Sequence, residues 1–381
     1  MPACRVPRLT HLLPAVVRRA QREPSRDTLR YLGSMLNTAE TSPAPRRLLR
    51  KLKLRKVARS ELTIERRPKG DDDFVYLKKG QPIDDEDELE RIRKLAVPPA
   101  YHDVRFAADP MAHIQAVGRD DAGRLQYRYH PEWVKLRESH KTQHMLSLVA
   151  TLPRIRKRVT ELLSGSEPTR EFAFAAVIDL ISVSAIRPGN EEYARRHGSR
   201  GASTLLKSNV RISGDQVTLA FRAKGGKDVR KEVTAPRLVH AIGVLRTLPG
   251  PKLFQYRDEA GAIHAVNVRH VNDYLREIAD TQISLKDFRT LCASAAVLDV
   301  LAKQIPKGNA RSRHKQVLDA VRQAADELAN TPAIARKSYV HDALCSAFEA
   351  DGFDQFLSTL KRCRSQAQRE KLLAEIVSAA A

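Results

Sequence analysis

Residues 209–235 read NVRISGDQVTLAFRAKGGKDVRKEVTA, and this stretch decides the fold. The stretch alternates, with Val217, Leu219 and Phe221 on one face, while Ser213-Gly214-Asp215 and Lys224-Gly225-Gly226-Lys227 supply turns. A period of two between such turns predicts three antiparallel strands with a lysine-bearing tip. The surroundings follow a different period. MLSLVATLPRIRKRVTELL (145–163) and TREFAFAAVIDLISVSAI (169–186) carry apolar residues at spacings of three and four, the second run so apolar that it reads as a central, buried helix. From Lys315 to Ala380 the chain again reads as helical. A small sheet set in helices is expected from about Pro131 onward.

Upstream the pattern changes. FVYLKKGQPI (74–83) reads as a short strand with a glycine-containing turn, and HIQAVGR, the DDAG turn and RLQYRYH (113–130) read as a β-hairpin. Between them DDEDELERIRKLAVPP (84–99) opens with acids, where a helix N-terminus favours them, and stops at Pro98 and Pro99. That acidic run is more simply a helix start than a metal site. YLGSMLN (31–37) reads as a short helix, and SPAPRRLLRKLKLRKVARS (42–60) as a proline-marked break followed by a basic helix or loop. The fold class expected is α+β: a basic tail over 1–26, a small β-rich N-terminal domain over 27–134, and a larger, mainly α-helical domain with a three-stranded antiparallel sheet over 135–381.

At 381 residues the chain can bury a full core in each of two domains. Lys and Arg exceed Asp and Glu by 22, which makes the protein a polycation and nucleic acid the first partner to consider. The first 60 residues hold 15 Lys or Arg against Glu23, Asp27 and Glu40, a net +12 that leaves +10 for the remainder. The arginine-rich, acid-poor opening also fits an organellar transit peptide, beside the readings of a disordered basic tail or a start assigned too early. Cys4, Cys292, Cys345 and Cys363 are scattered, without zinc spacing or a disulfide framework, so a reducing compartment is expected. No apolar run approaches the roughly 18 to 20 residues of a membrane span. A soluble, cytoplasmic protein is the expectation.

Four motifs place a reactive or cationic side chain beside special backbone: AIRPGNEEY (185–193) with Arg187, FRAKGGK (221–227) with Lys224, SLKDFRTLCAS (284–294) with Lys286 and Arg289, and NTPAIARKSYV (330–340) with Tyr339. Each alone has a bland reading: a charge at a helix C-terminus, a solvated turn, a surface ion pair with Asp287, a core tyrosine. Their ordered set has chemical content. A phosphodiester is attacked only when its charge is offset, and two guanidinium forks can hold its two non-bridging oxygens without a metal. A lysine on a mobile turn can protonate the leaving 5′-oxygen, an effect of roughly 10²–10⁴ in rate. A phenol with a pKa near 10 is only about 0.1% ionised at pH 7, so the same cations would favour its ionised, nucleophilic form.

In this order, PPAYHDV, HIQAVGRDDAGRLQYRYHPEW, AIRPGNEEY, FRAKGGK, LKDFRT and NTPAIARKSY resemble the type IB DNA topoisomerases of the compact poxviral and bacterial kind, over residues 31–350. The resemblance implies a β-rich domain and a helical catalytic domain that clamp double-stranded DNA as a monomer, without ATP, metal or other cofactor, in association with the nucleoid. It implies catalytic roles for Arg187 and Arg289 on the phosphate, Lys224 as the acid, Asn330 as a further phosphate donor, and Tyr339 as the nucleophile of a 3′-phosphotyrosyl link. DNA contacts are implied for Gln126, Tyr127, Tyr129, Lys141, Tyr193 and Lys286. Two positions depart from the family's usual pattern. Asn330 stands where many members have histidine, and an amide can donate to phosphate but cannot become cationic. Lys141 lies in KTQHM (141–145), which is less basic than the corresponding stretch usually is. Strand alternation also puts Tyr127 and Tyr129 on the face opposite Gln126. The alternative is a tyrosine recombinase or integrase, whose second arginine motif usually reads H-x-x-R where this chain has Lys286. A non-catalytic DNA-packaging protein would explain the charge but not the ordered set.

Overall fold

A computed structural model describes residues 49–379 apart from 51, 71, 72, 305, 307, 351 and 352. The expected tail and the short helix at 31–37 lie outside the described residues. The described chain divides into two compact units, the first ending at His140 and the second beginning at Lys141.

The first unit is a six-stranded antiparallel sheet in the order β3-β2-β1-β4-β5-β6. Its strands are β1 (Ile64–Pro68), β2 (Phe74–Lys78), β3 (Gln81–Pro82), β4 (His102–Phe106), β5 (Ile114–Arg119) and β6 (Leu125–Tyr129), with helix α1 (Glu86–Lys94) between β3 and β4. Asp85 caps α1 by accepting the Asp87 and Glu88 backbone N–H groups, and the first turn is acidic while the last is basic, each charge matching the helix dipole. Ile92 of α1 packs with Ile64, Val104, Phe106 and Ala116, and a second cluster gathers Val57, Leu62, Ala107, Ala112, Ile114 and Val117. A bulge at Gln115, where Ile114 and Ala116 of β5 face Tyr129 and Arg128 of β6, lets Ile114 and Val117 join one cluster while Ala116 joins the other. The Gln115 amide then donates to the Ala112 carbonyl at 2.7 Å and its oxygen accepts from Arg91 at 3.0 Å. Strands β1 and β4 are not apparent from sequence periodicity. β4 contains Asp103 at φ 51° and a register shift against β5, which breaks the alternation.

The second unit is mostly helical: α2 (Pro131–Leu163, which starts in the first unit), α3 (Arg170–Ser184), α4 (Glu191–His197), α5 (Pro236–Arg246), α6 (Val268–Ala279), α7 (Leu285–Leu301), α8 (Ala310–Glu327), α9 (Pro332–Ser338), α10 (Asp342–Glu349), α11 (Asp354–Arg362) and α12 (Gln366–Ala379). The expected sheet forms as β7 (Val210–Ser213), β8 (Gln216–Arg222) and β9 (Asp228–Thr234) in sequential order, with Val217, Leu219 and Phe221 turned into the core. A small hairpin, β10 (Gln255–Arg257) with β11 (Ile263–Ala265), adds strands too short and too exposed to leave a period. Helix α3 is buried from Phe172 to Ile181, and each large apolar side chain there contributes roughly 1.5–3 kcal/mol. Its one buried carboxylate, Asp179, receives both Nε and an NH2 of Arg237. Removing that partner would cost on the order of 3–5 kcal/mol, because a buried charge would be left alone.

Candidate active site

The C-terminal end of α3 places the first cation. Ala185 ends the helix in the left-handed region at φ 53°, which turns Ile186 and Arg187 out of the helical path. The Arg187 carbonyl accepts the Ala202 N–H at 2.8 Å and the Pro188 carbonyl accepts the Ser203 N–H at 2.9 Å, so the loop is laced to the 3₁₀ turn at Ala202–Thr204. Gly201 makes this possible. A Cβ there would stand 2.5 Å from the Gly189 nitrogen and 2.6 Å from the Arg187 oxygen.

Arg289, one turn into α7, is 1% exposed. Its guanidinium is held by carbonyls and a ring: one NH group donates to the Ala185 carbonyl, the other lies 3.4 Å from the Leu328 carbonyl, and Cζ sits 4.7 Å from the centroid of the Tyr339 ring. Both carbonyls belong to the residue just past a helix, α3 and α8, where the negative end of the dipole favours a cation. Burial lowers the Arg289 pKa from its ordinary value, yet a guanidinium stays charged at any working pH. Its Nε, buried, has no hydrogen-bond partner.

Asn330 is 7% exposed, and its Oδ1 accepts from the Arg187 guanidinium. That bond fixes the amide's orientation and leaves Nδ2 as a buried donor without a partner. A buried donor left unpaired costs about 1–3 kcal/mol, so Arg289 Nε and Asn330 Nδ2 together hold a standing preference for an acceptor oxygen. Tyr339 caps α9, with its N–H donating to the Ala335 carbonyl at 2.9 Å. Burial pushes the phenol pKa up, but the charges of Arg289, Arg187 and Lys286 pull it down by more, and the net direction is below the ordinary value. A recess beside these groups is lined by Arg187, Arg200, Lys231 and Arg289.

The structure thus brings Arg187, Arg289, Asn330 and Tyr339 together, with exposed Lys286 close enough to act on the phenol. Lys224 stands at the exposed tip between β8 and β9, where its Nζ lies 5.3 Å from the Tyr193 ring. Tyr193 itself is 47% exposed. The Lys141 amine donates to the Val340 carbonyl at 2.7 Å. In the first unit Tyr127 and Tyr129 stack at 5.9 Å with rings 15° apart, and Gln126 donates to Asp120 in the preceding turn at 2.9 Å. Alternation along β6 is kept. Sequence reading passed over Lys231, whose half-buried side chain donates to the Glu327 carbonyl at 2.8 Å and whose pKa burial lowers. Its signal was available: in DVRKEVT it holds the inward register between Val229 and Val233.

Comparison with known proteins agrees with this architecture. Residues 132–366 match the family described as eukaryotic DNA topoisomerase I, catalytic core, and residues 73–120 match bacterial DNA topoisomerase IB, N-terminal domain. The chain belongs to the type IB DNA topoisomerases, which are isomerases. It is 32% identical over 284 residues to DNA topoisomerase 1B of Acanthamoeba polyphaga mimivirus, covering 72% of this chain and 84% of that one. It is 20% identical over 293 residues to DNA topoisomerase 1B of vaccinia virus strain Copenhagen and to DNA topoisomerase I of monkeypox virus, covering 72% of this chain and 89% of each. Among the described residues no helix is long and apolar enough to cross a membrane.

Proposed function

We propose that the protein relaxes supercoiled duplex DNA by nicking one strand through Tyr339, letting the free end swivel, and resealing. The Tyr339 oxygen attacks the scissile phosphorus, the bond to the 5′-oxygen breaks, and a 3′-phosphotyrosyl link forms while the 5′-oxygen takes a proton from Lys224. Resealing reverses each transfer. The phosphotyrosyl ester keeps the energy of the broken phosphodiester, so ATP is not required.

One observation carries this reading: a phenol whose ionised form is favoured by Arg289 and Arg187 stands beside two buried donors that lack partners, Arg289 Nε and Asn330 Nδ2. Those donors suit the non-bridging oxygens of a phosphate, and guanidinium charge there stabilises the transition state as a metal ion would. The bond from Arg187 to Asn330 Oδ1 orients the amide so that Nδ2 is the atom offered to phosphate. Lys286 and Tyr193 contact the DNA near the break, and Lys141 contacts it once released from the Val340 carbonyl. Gln126, Tyr127 and Tyr129 extend the contact from the first unit. On this reading domains 27–134 and 135–381 close on one duplex, the protein acts as a monomer in the cytoplasm of a bacterial cell on nucleoid DNA, and the segment 1–26 adds nonspecific basic contact.

Plasmid relaxation in EDTA without nucleotide tests the proposal. Relaxation of supercoils by the parent is expected, with a covalent protein–DNA adduct that Tyr339→Phe abolishes. A Tyr339→Phe variant as active as the parent would refute it, and joined products from two DNAs would indicate a recombinase instead.

A further inference from the structure

The segment that carries Tyr339 is only three residues long between helices: α9 ends at Ser338 and α10 begins at Asp342. Its backbone is fastened on two sides. From α7, the hydroxyl of buried Ser294 donates to the Tyr339 carbonyl at 3.3 Å and accepts the His341 N–H at 2.9 Å. From α2, Lys141 holds the Val340 carbonyl, and Thr142 Oγ1 lies 2.9 Å from His341 Nε2.

His341 is the element common to both sides. It is 4% exposed. Its Nδ1 accepts the Ala343 N–H at 3.3 Å as the cap of α10, so in the neutral ring the proton sits on Nε2 and donates to Thr142. Burial first, and then the nearby Lys141 charge, lower the His341 pKa to about 4, with Arg336 adding and Asp342 opposing, which agrees with a neutral ring. Capping α10 would need only Nδ1. The bond from Nε2 to a different helix adds something a cap does not need: it ties the backbone two residues past Tyr339 to α2.

We propose that His341 is a positioning residue for Tyr339, acting through its Nε2–H bond to Thr142 and its backbone bond to Ser294 to hold the phenol's line of attack. The proposal rests on the reading of Tyr339 as the nucleophile. Displacement of a reacting group by about 1 Å can cost on the order of 10² in rate, so a loosened segment shows in chemistry before it shows in binding.

Three variants separate positioning from packing. Thr142→Val removes the acceptor at nearly constant shape, Thr142→Ser keeps it, and His341→Asn keeps an acceptor for the Ala343 N–H but cannot reach Thr142. Single-turnover adduct formation is measured on a duplex whose downstream strand dissociates after cleavage, alongside DNA affinity at fixed salt. Thr142→Val and His341→Asn should slow adduct formation about tenfold or more at unchanged affinity, and Thr142→Ser should stay near the parent rate. Parent-like cleavage by Thr142→Val, or equal slowing by Thr142→Ser, would overturn the positioning role alone. Absence of any adduct in the parent would overturn the nucleophile reading, and this role with it.

Discussion

Gly201→Ala puts a methyl group into the closest backbone approach at the site. Its Cβ would lie 2.5 Å from the Gly189 nitrogen and 2.6 Å from the Gly189 Cα and the Arg187 oxygen. Reaching even the tightest separation real Cβ atoms show, 3.0 Å, requires the loops to part by 0.5 Å, and an ordinary 3.4 Å contact requires 0.9 Å. Neither partner is a flexible side-chain end. The loop that must move carries Arg187, which reaches Asn330, and through the Ala202 and Ser203 N–H bonds it is tied to the turn that pushes it. Overpacking of this kind costs about 1–3 kcal/mol, which corresponds to a fall in melting temperature of about 2–12 °C for a unit of this size. The larger effect should be on rate: a shift of 0.5–0.9 Å in the Arg187 loop predicts a loss of about 10- to 100-fold in single-turnover cleavage. The measurement is adduct formation well below the variant's melting temperature, compared with Gly198→Ala. A Cβ at Gly198 meets nothing within 4 Å, although its φ of +64° gives that control a backbone strain of its own. Gly201→Ala cleaving at the parent rate would refute the claim that this contact sets the position of Arg187.

Two further outcomes follow from the charges. The Tyr339 phenol should titrate below the ordinary tyrosine value near 10, and Arg187→Ala should move it upward, since one of the cations that pull it down is removed while burial remains. Tyrosine labelled with ¹³C at Cζ, with Tyr339→Phe to assign the resonance, reads this without reference to activity. His341 supplies a stability effect of the same sense as a paired carboxylate's, though it arises from burial of a neutral ring. Its folded pKa of about 4 lies below the unfolded value near 6.5, so its contribution is fully present above pH 6.5 and is lost as pH falls towards 4. By pH 5 the loss is about 2 kcal/mol. Denaturant unfolding at pH 7 and pH 5 should therefore show a larger difference in the parent than in His341→Asn, and equal differences would contradict it.

Much of the fold was legible because burial imposes a period. β8 alternates, α3 is apolar from Phe172 to Ile178, and Asp85 precedes an acidic first turn. What escaped had lost its period for local reasons: β4 at Asp103 and its register shift, β10 and β11 through brevity and exposure. The site was legible as a set of residue types in order. Its geometry was not. Nothing near Arg289 in the chain announces that its guanidinium rests on carbonyls 104 and 39 residues away, or that Lys141 turns to a carbonyl 199 residues on. Such contacts are fixed by packing of distant helices, and a local pattern carries no trace of them.

The lysine at the β8–β9 tip bears on how the enzyme would work in time. Lys224 rests over Tyr193 at a turn whose Gly225 and Gly226 both adopt positive φ. If Lys224 is the proton donor proposed above, it would govern the outward step and, taking the proton back, the return step as well. Hairpin motion would then set the lifetime of the nick without shifting the balance between open and sealed strands. The turns of supercoil released per nick are the rotation rate multiplied by that lifetime. The sequence of one exposed turn would thereby decide whether torsion is let out in small steps or in one long spin.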